Sequence, residues 1–182
     1  MNYTKISKTI SLVLRHKPEA IDITIDEHGW ADVKKLIKGL SGRYPGFDMD
    51  VLEYIVATDE KQRYSFNSNN TKIRANQGHS IPVDLDLDPV EPPEYLYHGS
   101  ATKYLYDILK EGLVAKSRQY VHLSHDIATA ENVGARHGTP VVFRVSSGEM
   151  HKQGFIFRKS ANGVWLTDRV PVEFLEEVRA WE

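Results

Sequence analysis

The strings that could do chemistry are short, polar and set in apolar surroundings. Leu14-Arg15-His16-Lys17-Pro18 closes an apolar stretch with three potential cations. Cations there complement the negative end of a helix dipole, and on spacing alone that reading suffices. Arg also offers a fork of donors matched to phosphate oxygens, so the same residues suit a phosphate grip. Ile73-Arg74-Ala75-Asn76-Gln77-Gly78-His79-Ser80 is denser. It gathers several kinds of donor around a glycine that permits close backbone approach. A plain turn needs only Asn and Gly, so Arg74, Gln77 and His79 tilt this string towards a site.

Two further strings share a form. Tyr97-His98-Gly99-Ser100 and Val121-His122-Leu123-Ser124 each set a His at a predicted strand end, with a hydroxyl one or two residues on. Strand ends beside helix starts are common cofactor locations. Gly134-Ala135-Arg136-His137-Gly138 sets Arg-His between glycines, which equally suits a helix C-terminus. Gly163-Val164-Trp165-Leu166-Thr167 reads as an ordinary core strand. The chain has no cysteine, which excludes thiolate zinc sites and a Cys nucleophile and fits a reducing compartment. It has no GxxxxGK[ST], GxGxxG, GxSxG or HExxH string, so no familiar nucleotide, hydrolase or zinc-protease motif applies. No metal is expected.

The elements that must position these residues fall into two groups. In the first, Ile6, Ile10, Leu12, Val13 and Leu14 predict an apolar helix face ended by Lys17-Pro18. Asp32 is placed to cap a second helix, and Asp48 or Asp50 a third that runs to about Thr58. Residues 63–66 and 72–75, around Asn67-Ser68-Asn69-Asn70, predict a hairpin. Three helices followed by a hairpin is the winged-helix pattern. In the second group, strands are predicted at 95–98, 120–124, 140–145, 154–158, 163–167 and 172–178. Helices are predicted at 101–112 and 126–133. Between the groups, residues 81–94 hold four prolines, five acids and no base. Proline and like charges favour an extended connector, with strand character at Val83–Leu87 where apolar and acidic residues alternate.

A chain of 182 residues affords one large domain or two small ones, and it can bury a core without disulfides. The formal net charge of −2 provides no global field for nucleic acid. No signal peptide and no apolar run near the roughly 20 residues needed to span a bilayer is evident. The expectation is a soluble, cytoplasmic, monomeric protein with no membrane partner.

Taken in order, these strings resemble the KptA family of NAD-dependent RNA 2′-phosphotransferases. The matching pieces are Leu-Arg-His-Lys-Pro at 14–18, Gly-Trp-Ala at 29–31, Ile-Arg-Ala-Asn-Gln-Gly-His-Ser at 73–80 and Tyr-His-Gly at 97–99. They continue with Val-His-Leu-Ser at 121–124, Gly-Ala-Arg-His-Gly at 134–138 and Gly-Val-Trp-Leu-Thr at 163–167. Each is weak alone, but the ordered set is specific and covers nearly the whole chain. Ser100 departs from the Thr of many relatives and keeps the hydroxyl.

The resemblance implies an α+β fold: a winged-helix RNA-binding lobe at 1–80, the connector at 81–94, and an ADP-ribosyltransferase-like NAD-binding lobe at 95–182. It implies that an internal RNA 2′-phosphate is transferred to NAD, which is consumed, in two steps through an ADP-ribosylated RNA phosphate. The products would be 2′-hydroxyl RNA, nicotinamide and ADP-ribose 1″,2″-cyclic phosphate, and tRNA splicing is one setting for such a substrate. By the same resemblance the catalytic set is Arg15, His16, Arg74 and Arg136, in a cleft between the lobes, and the cofactor-pocket histidines are His98 and His122. Gly99, Ser100, Leu123 and Ser124 are assigned to cofactor binding by adjacency. The alternatives are an ADP-ribosyltransferase acting on terminal nucleic-acid phosphates or on protein, and a winged-helix regulator with a degenerate enzymatic lobe. Protein-modifying members of that broader group use a Glu where Val164 stands, and a phosphate acceptor, already ionised, has no need of it.

Overall fold

The computed structural model describes residues 1–178. These form an α+β protein that divides into two compact units, Met1–Asp86 and Leu87–Glu182. Among the described residues no helix is long and apolar enough to cross a membrane.

In the first unit, α1 (Tyr3–Arg15) starts at Asn2, whose side chain accepts the Lys5 amide at 3.0 Å. Helix α2 (Val33–Ser41) is capped by Asp32 and α3 (Met49–Thr58) by Asp48, through carboxylates that accept the Lys35 and Val51 amides at 2.9 and 3.0 Å. Of the two candidates for the third cap, Asp48 serves, and Asp50 lies in the first turn. Strands β1 (Ala31–Asp32), β2 (Tyr64–Phe66) and β3 (Lys72–Ala75) form an antiparallel sheet in the order β1-β3-β2, with Ser65 opposite Arg74. Ile6, Ile10, Val13 and Leu14 of α1 pack with Leu36, Leu40, Leu52 and Ile73 in one core. Leu12, expected on that face, is 40% exposed. At about 100° per residue it lies on the opposite side of the helix from Val13 and Leu14 combined with Ile6 and Ile10.

The acidic segment is divided between the units. Val83 and Leu85 are buried in the first, while Asp84 and Asp86 are exposed. The alternation is thus real in burial, but residues 83–87 form no strand. The chain instead turns at Asp86 (φ 56°), whose amide donates to the Asp84 carboxylate at 2.9 Å. Beyond it the Val90 amide donates to the Phe157 carbonyl at 2.8 Å within the second unit.

The second unit contains β4 (Leu96–Ala101), α4 (Leu105–Glu111), β5 (Leu113–Val114), β6 (Val121–Leu123) and α5 (Ile127–Ala135). It continues with β7 (Pro140–Val145), α6 (Ser147–Lys152), β8 (Phe157–Lys159), β9 (Trp165–Thr167), β10 (Arg169–Val170) and β11 (Leu175–Val178). All strand pairs are antiparallel: β11-β7-β4 and β6-β9-β8 form three-stranded sheets and β10-β5 a ribbon. Helix α6 was not expected, because its sequence, Ser-Gly-Glu-Met-His-Lys, carries little apolar periodicity and a poor helix former, Gly148. Tertiary contacts supply what propensity lacks: Met150 is buried and the Ser147 hydroxyl donates to the Pro93 carbonyl at 2.8 Å. The stretch expected as one strand at 172–178 begins as a single 3-10 turn, Val172–Phe174.

Gly99 decides how α5 meets the sheet. A Cβ on Gly99 would stand 1.6 Å from the Ala130 carbonyl oxygen, so the helix backbone rests directly on β4. Gly99→Ala should therefore cost at least about 3 kcal/mol, a drop of roughly 10 °C in Tm for a chain of this size. Gly42→Ala, with open space around it, should stay within about 0.5 kcal/mol. Thermal unfolding of both variants checks the contrast.

Candidate functional site

In the first unit the end of α1 and the loop after β3 are stitched together. A helix leaves its last carbonyls without intrahelical partners. The Arg15 carbonyl accepts the amides of Ser80 and Ile81 at 3.0 and 3.4 Å. His16 Nδ1 lies 2.7 Å from the Ser80 hydroxyl. Gly78 adopts φ 90°, which favours glycine, and the Arg15 side chain lies against it, with Nε 3.3 Å from where a Cβ would be. Two strings more than 60 residues apart in sequence thus form one surface.

Arg74 joins them from β3. Its guanidinium donates to the carbonyls of His28 and Leu85 at 3.2 and 3.3 Å and stacks over the Trp30 ring, 4.5 Å from its centroid. Trp30 is held by a tight turn in which the Asp26 carboxylate accepts the amides of His28 and Trp30, both at 2.9 Å. Burial pulls the Arg74 guanidinium down from its usual pKa, opposed by Asp26 and Asp86. It stays charged, as arginine does in proteins.

His79 reports the electrostatics of this surface. It is buried, at 2% exposure, and its pKa falls to about 4. Burial is the main cause, and the charges of Arg15, His16 and Arg74 push in the same direction. His79 Nε2 and Arg74 Nε are both buried and lack a hydrogen-bond partner among the described residues. Such orphans are costly in a folded protein unless a ligand or water completes them. An anion placed here would meet converging cations and an unfilled guanidinium donor.

In the second unit, β4 and β6 touch at one antiparallel bridge. The Tyr97 and Ser124 amides donate to each other's carbonyls at 2.8 and 2.7 Å. One residue beyond, His98 Nδ1 lies 2.9 Å from the His122 carbonyl. A carbonyl only accepts, so Nδ1 carries the hydrogen and Nε2 is left as an acceptor when the ring is neutral. Burial lowers the His98 pKa, the hydrogen bond to His122 opposes this, and His137 adds to the lowering. Arg118 Nη1 lies 3.0 Å from His122 Nδ1. A guanidinium only donates, so the His122 hydrogen sits on Nε2. Two neighbouring strands therefore present one imidazole acceptor and one imidazole donor.

Residues 2–169 match the model of the RNA 2′-phosphotransferase, Tpt1 / KptA family. The chain belongs to this family. A protein of Nostoc punctiforme is 52% identical over 96% of both chains, and one of Flavobacterium johnsoniae 51% identical over 94% of both. An Escherichia coli protein is 51% identical over 93% of both chains. Each bears the name "Probable RNA 2'-phosphotransferase". Membership supports removal of a 2′-phosphate from RNA by a transferase.

Within this family member, Arg15, His16 and Arg74 come together in the first unit around His79, as the preceding contacts describe. Arg136 belongs to the second unit, exposed at the C-terminus of α5. His98, His122 and Ser124 cluster at the β4–β6 bridge. Leu123 is 1% exposed in the core, so its side chain is committed to packing. Gly99 and Ser100 back onto α5, and the Ser100 carbonyl is 2.4 Å from where a Gly134 Cβ would stand. Asn76, within the dense string, is a structural clip: its amide group donates to Gln62 and accepts from Ser65, at 2.7 and 2.8 Å. Residue-level reading missed His79 as the buried centre, Trp30 as the Arg74 platform and Arg118 as the His122 partner. The Gly29-Trp30-Ala31 string signals Trp30, but nothing around Arg118 marks it.

The depressed His79 pKa makes stability depend on pH. The folded value near 4 lies below the unfolded value near 6.5. Protonation therefore favours the unfolded chain, and stability is lost as pH falls from about 6.5 towards 4. His79→Gln should remove about 2 kcal/mol of the stability difference between pH 7 and pH 4.5. Urea unfolding of both proteins at the two pH values measures it.

Proposed function

We propose that this protein transfers an internal RNA 2′-phosphate to NAD, giving 2′-hydroxyl RNA, nicotinamide and ADP-ribose 1″,2″-cyclic phosphate. The observation that carries the reading is the convergence of Arg15, His16 and Arg74 on the buried His79, with Arg74 Nε and His79 Nε2 unfilled. His79 itself feels cations and no carboxylate among its principal electrostatic neighbours, which suits an anion. Phosphate dianion fits, because arginine forks match phosphate oxygens and several cations share the charge.

Arg15 and Arg74 would grip the phosphate and stabilise charge that builds on the phosphoryl group. A phosphate monoester is largely ionised near neutral pH, so it needs no base to become a nucleophile. This agrees with Val164, which offers no carboxylate. His16, whose Nδ1 meets the Ser80 hydroxyl, would move a proton at the ribose 2″-hydroxyl. His98 and His122 would hold NAD: the acceptor and donor described above fit ribose hydroxyl or carboxamide groups. NAD supplies a ribose carbon bonded to a good cationic leaving group.

The test is incubation with NAD and a short RNA carrying one internal 2′-phosphate. Release of nicotinamide with loss of the 2′-phosphate is expected. No nicotinamide release and no phosphate loss would sink the reading, whereas stable labelling of the acceptor from labelled NAD would point to an ADP-ribosyltransferase. Arg74→Lys should slow turnover by about 100-fold or more, because lysine loses both the fork and the stack on Trp30. His16→Ala should slow at least one step in single-turnover assays.

A further inference from the structure

A groove of about 340 Å³ runs along α1 in the first unit. Thr4, Ser7, Lys8 and Ser11 make its α1 wall, and Thr58, Arg63 and Tyr64 stand across it. At about 100° per residue, Thr4, Lys8, Ser11 and Arg15 fall in one stripe roughly 60° wide. The row of side chains that walls the groove therefore ends at Arg15. The helix rise of about 1.5 Å per residue puts Lys8 roughly 10 Å from Arg15, the length of about three stacked nucleotides at about 3.4 Å each.

The far wall is tied to α1 as well. The Tyr64 hydroxyl donates to the Ser7 carbonyl at 2.7 Å. Burial raises its pKa, and the Ser7 contact and the charges of Arg15 and Arg63 pull it back. Hydroxyls dominate the lining, and Lys8 is the cation in it that no lining carboxylate offsets. Its one carboxylate, Asp59, is committed to Arg63, through a side-chain contact at 2.5 Å and the Arg63 amide at 2.7 Å. Apolar anchors are lacking: Ile55 lines the groove but is only 3% exposed. At one end the rings of Tyr3 and Tyr54 lie 4.9 Å apart and are 44% and 52% exposed. This chemistry suits a nucleic-acid strand, with phosphates for cations and hydroxyls and bases for exposed rings. A protein partner would look for buried aromatic or aliphatic anchors that this groove does not offer.

We propose that the groove holds the RNA strand flanking the 2′-phosphate. Lys8 contacts a backbone phosphate, the Thr4 and Ser11 hydroxyls bond phosphate or ribose oxygens, and Tyr3 is a stacking surface. The inference rests on reading Arg15 as part of a 2′-phosphate grip. It adds a binding track that extends specificity beyond the reacting nucleotide.

The test compares two labelled RNAs, a dinucleotide bearing the 2′-phosphate and a decanucleotide with the same junction at its centre, titrated without NAD. Lys8→Glu should weaken the decanucleotide about tenfold and reduce the slope of log affinity against log salt by about 1. It should leave the dinucleotide unchanged. Lys5→Glu makes the same charge change on another face of α1 and should alter neither RNA more than about twofold. Equal weakening by the two variants, or equal weakening of both RNAs by Lys8→Glu, would overturn the groove. Because the titration reads binding alone, it stands apart from the nicotinamide assay: the groove pattern without nicotinamide release keeps the track and sinks the reaction.

Discussion

The capture of the Arg15 carbonyl by the Ser80 and Ile81 amides organises the first unit's site. A helix end must find donors for its last carbonyls, and here the donors come from the loop after β3 rather than from water. That choice lays Gly78 against the Arg15 side chain, sets the Ser80 hydroxyl on His16 and buries His79 between them. Arg74 reaches the same place because β3 is the central strand of its sheet, and Trp30 and two carbonyls hold its guanidinium. Backbone geometry thus keeps the charges of Arg15, His16 and Arg74 close to one buried imidazole.

The second unit follows a different constraint. Backbone packs on backbone at Gly99 and Ala130, so α5 lies flat on β4. The sheets of β4 and β6 then meet at Tyr97 and Ser124, and the two histidines beside that bridge are locked as complementary tautomers by a carbonyl and by Arg118. Imidazoles fixed in this way can read a ligand's polar groups without first paying to order themselves.

Much of the scaffold was legible because its signals are local. Asp32 and Asp48 cap helices through bonds to amides three residues away, and the hairpin is announced by its Asn-rich turn. Where the signal is not local, reading failed. Helix α6 exists because Met150 finds a core and Ser147 finds Pro93, neither visible in its own six residues. Leu12 looked like a core residue by type and is a surface residue by angle. The alternation at 83–87 described burial correctly, yet no strand lay alongside to make it a ladder.

The ordered strings around Arg15, Arg74, His98, His122 and Arg136 were enough to give the family, because they are local in sequence. The sequence by itself could not say which polar residues in those strings face a ligand. Asn76 and His79 stand three apart in one motif, and only tertiary structure made one a satisfied clip and the other a buried, unfilled imidazole among cations. The reason is physical. Hydrogen-bond satisfaction and electrostatic field are sums over neighbours in space, and for His79 those neighbours include Arg15 and His16, brought there by the end of a distant helix.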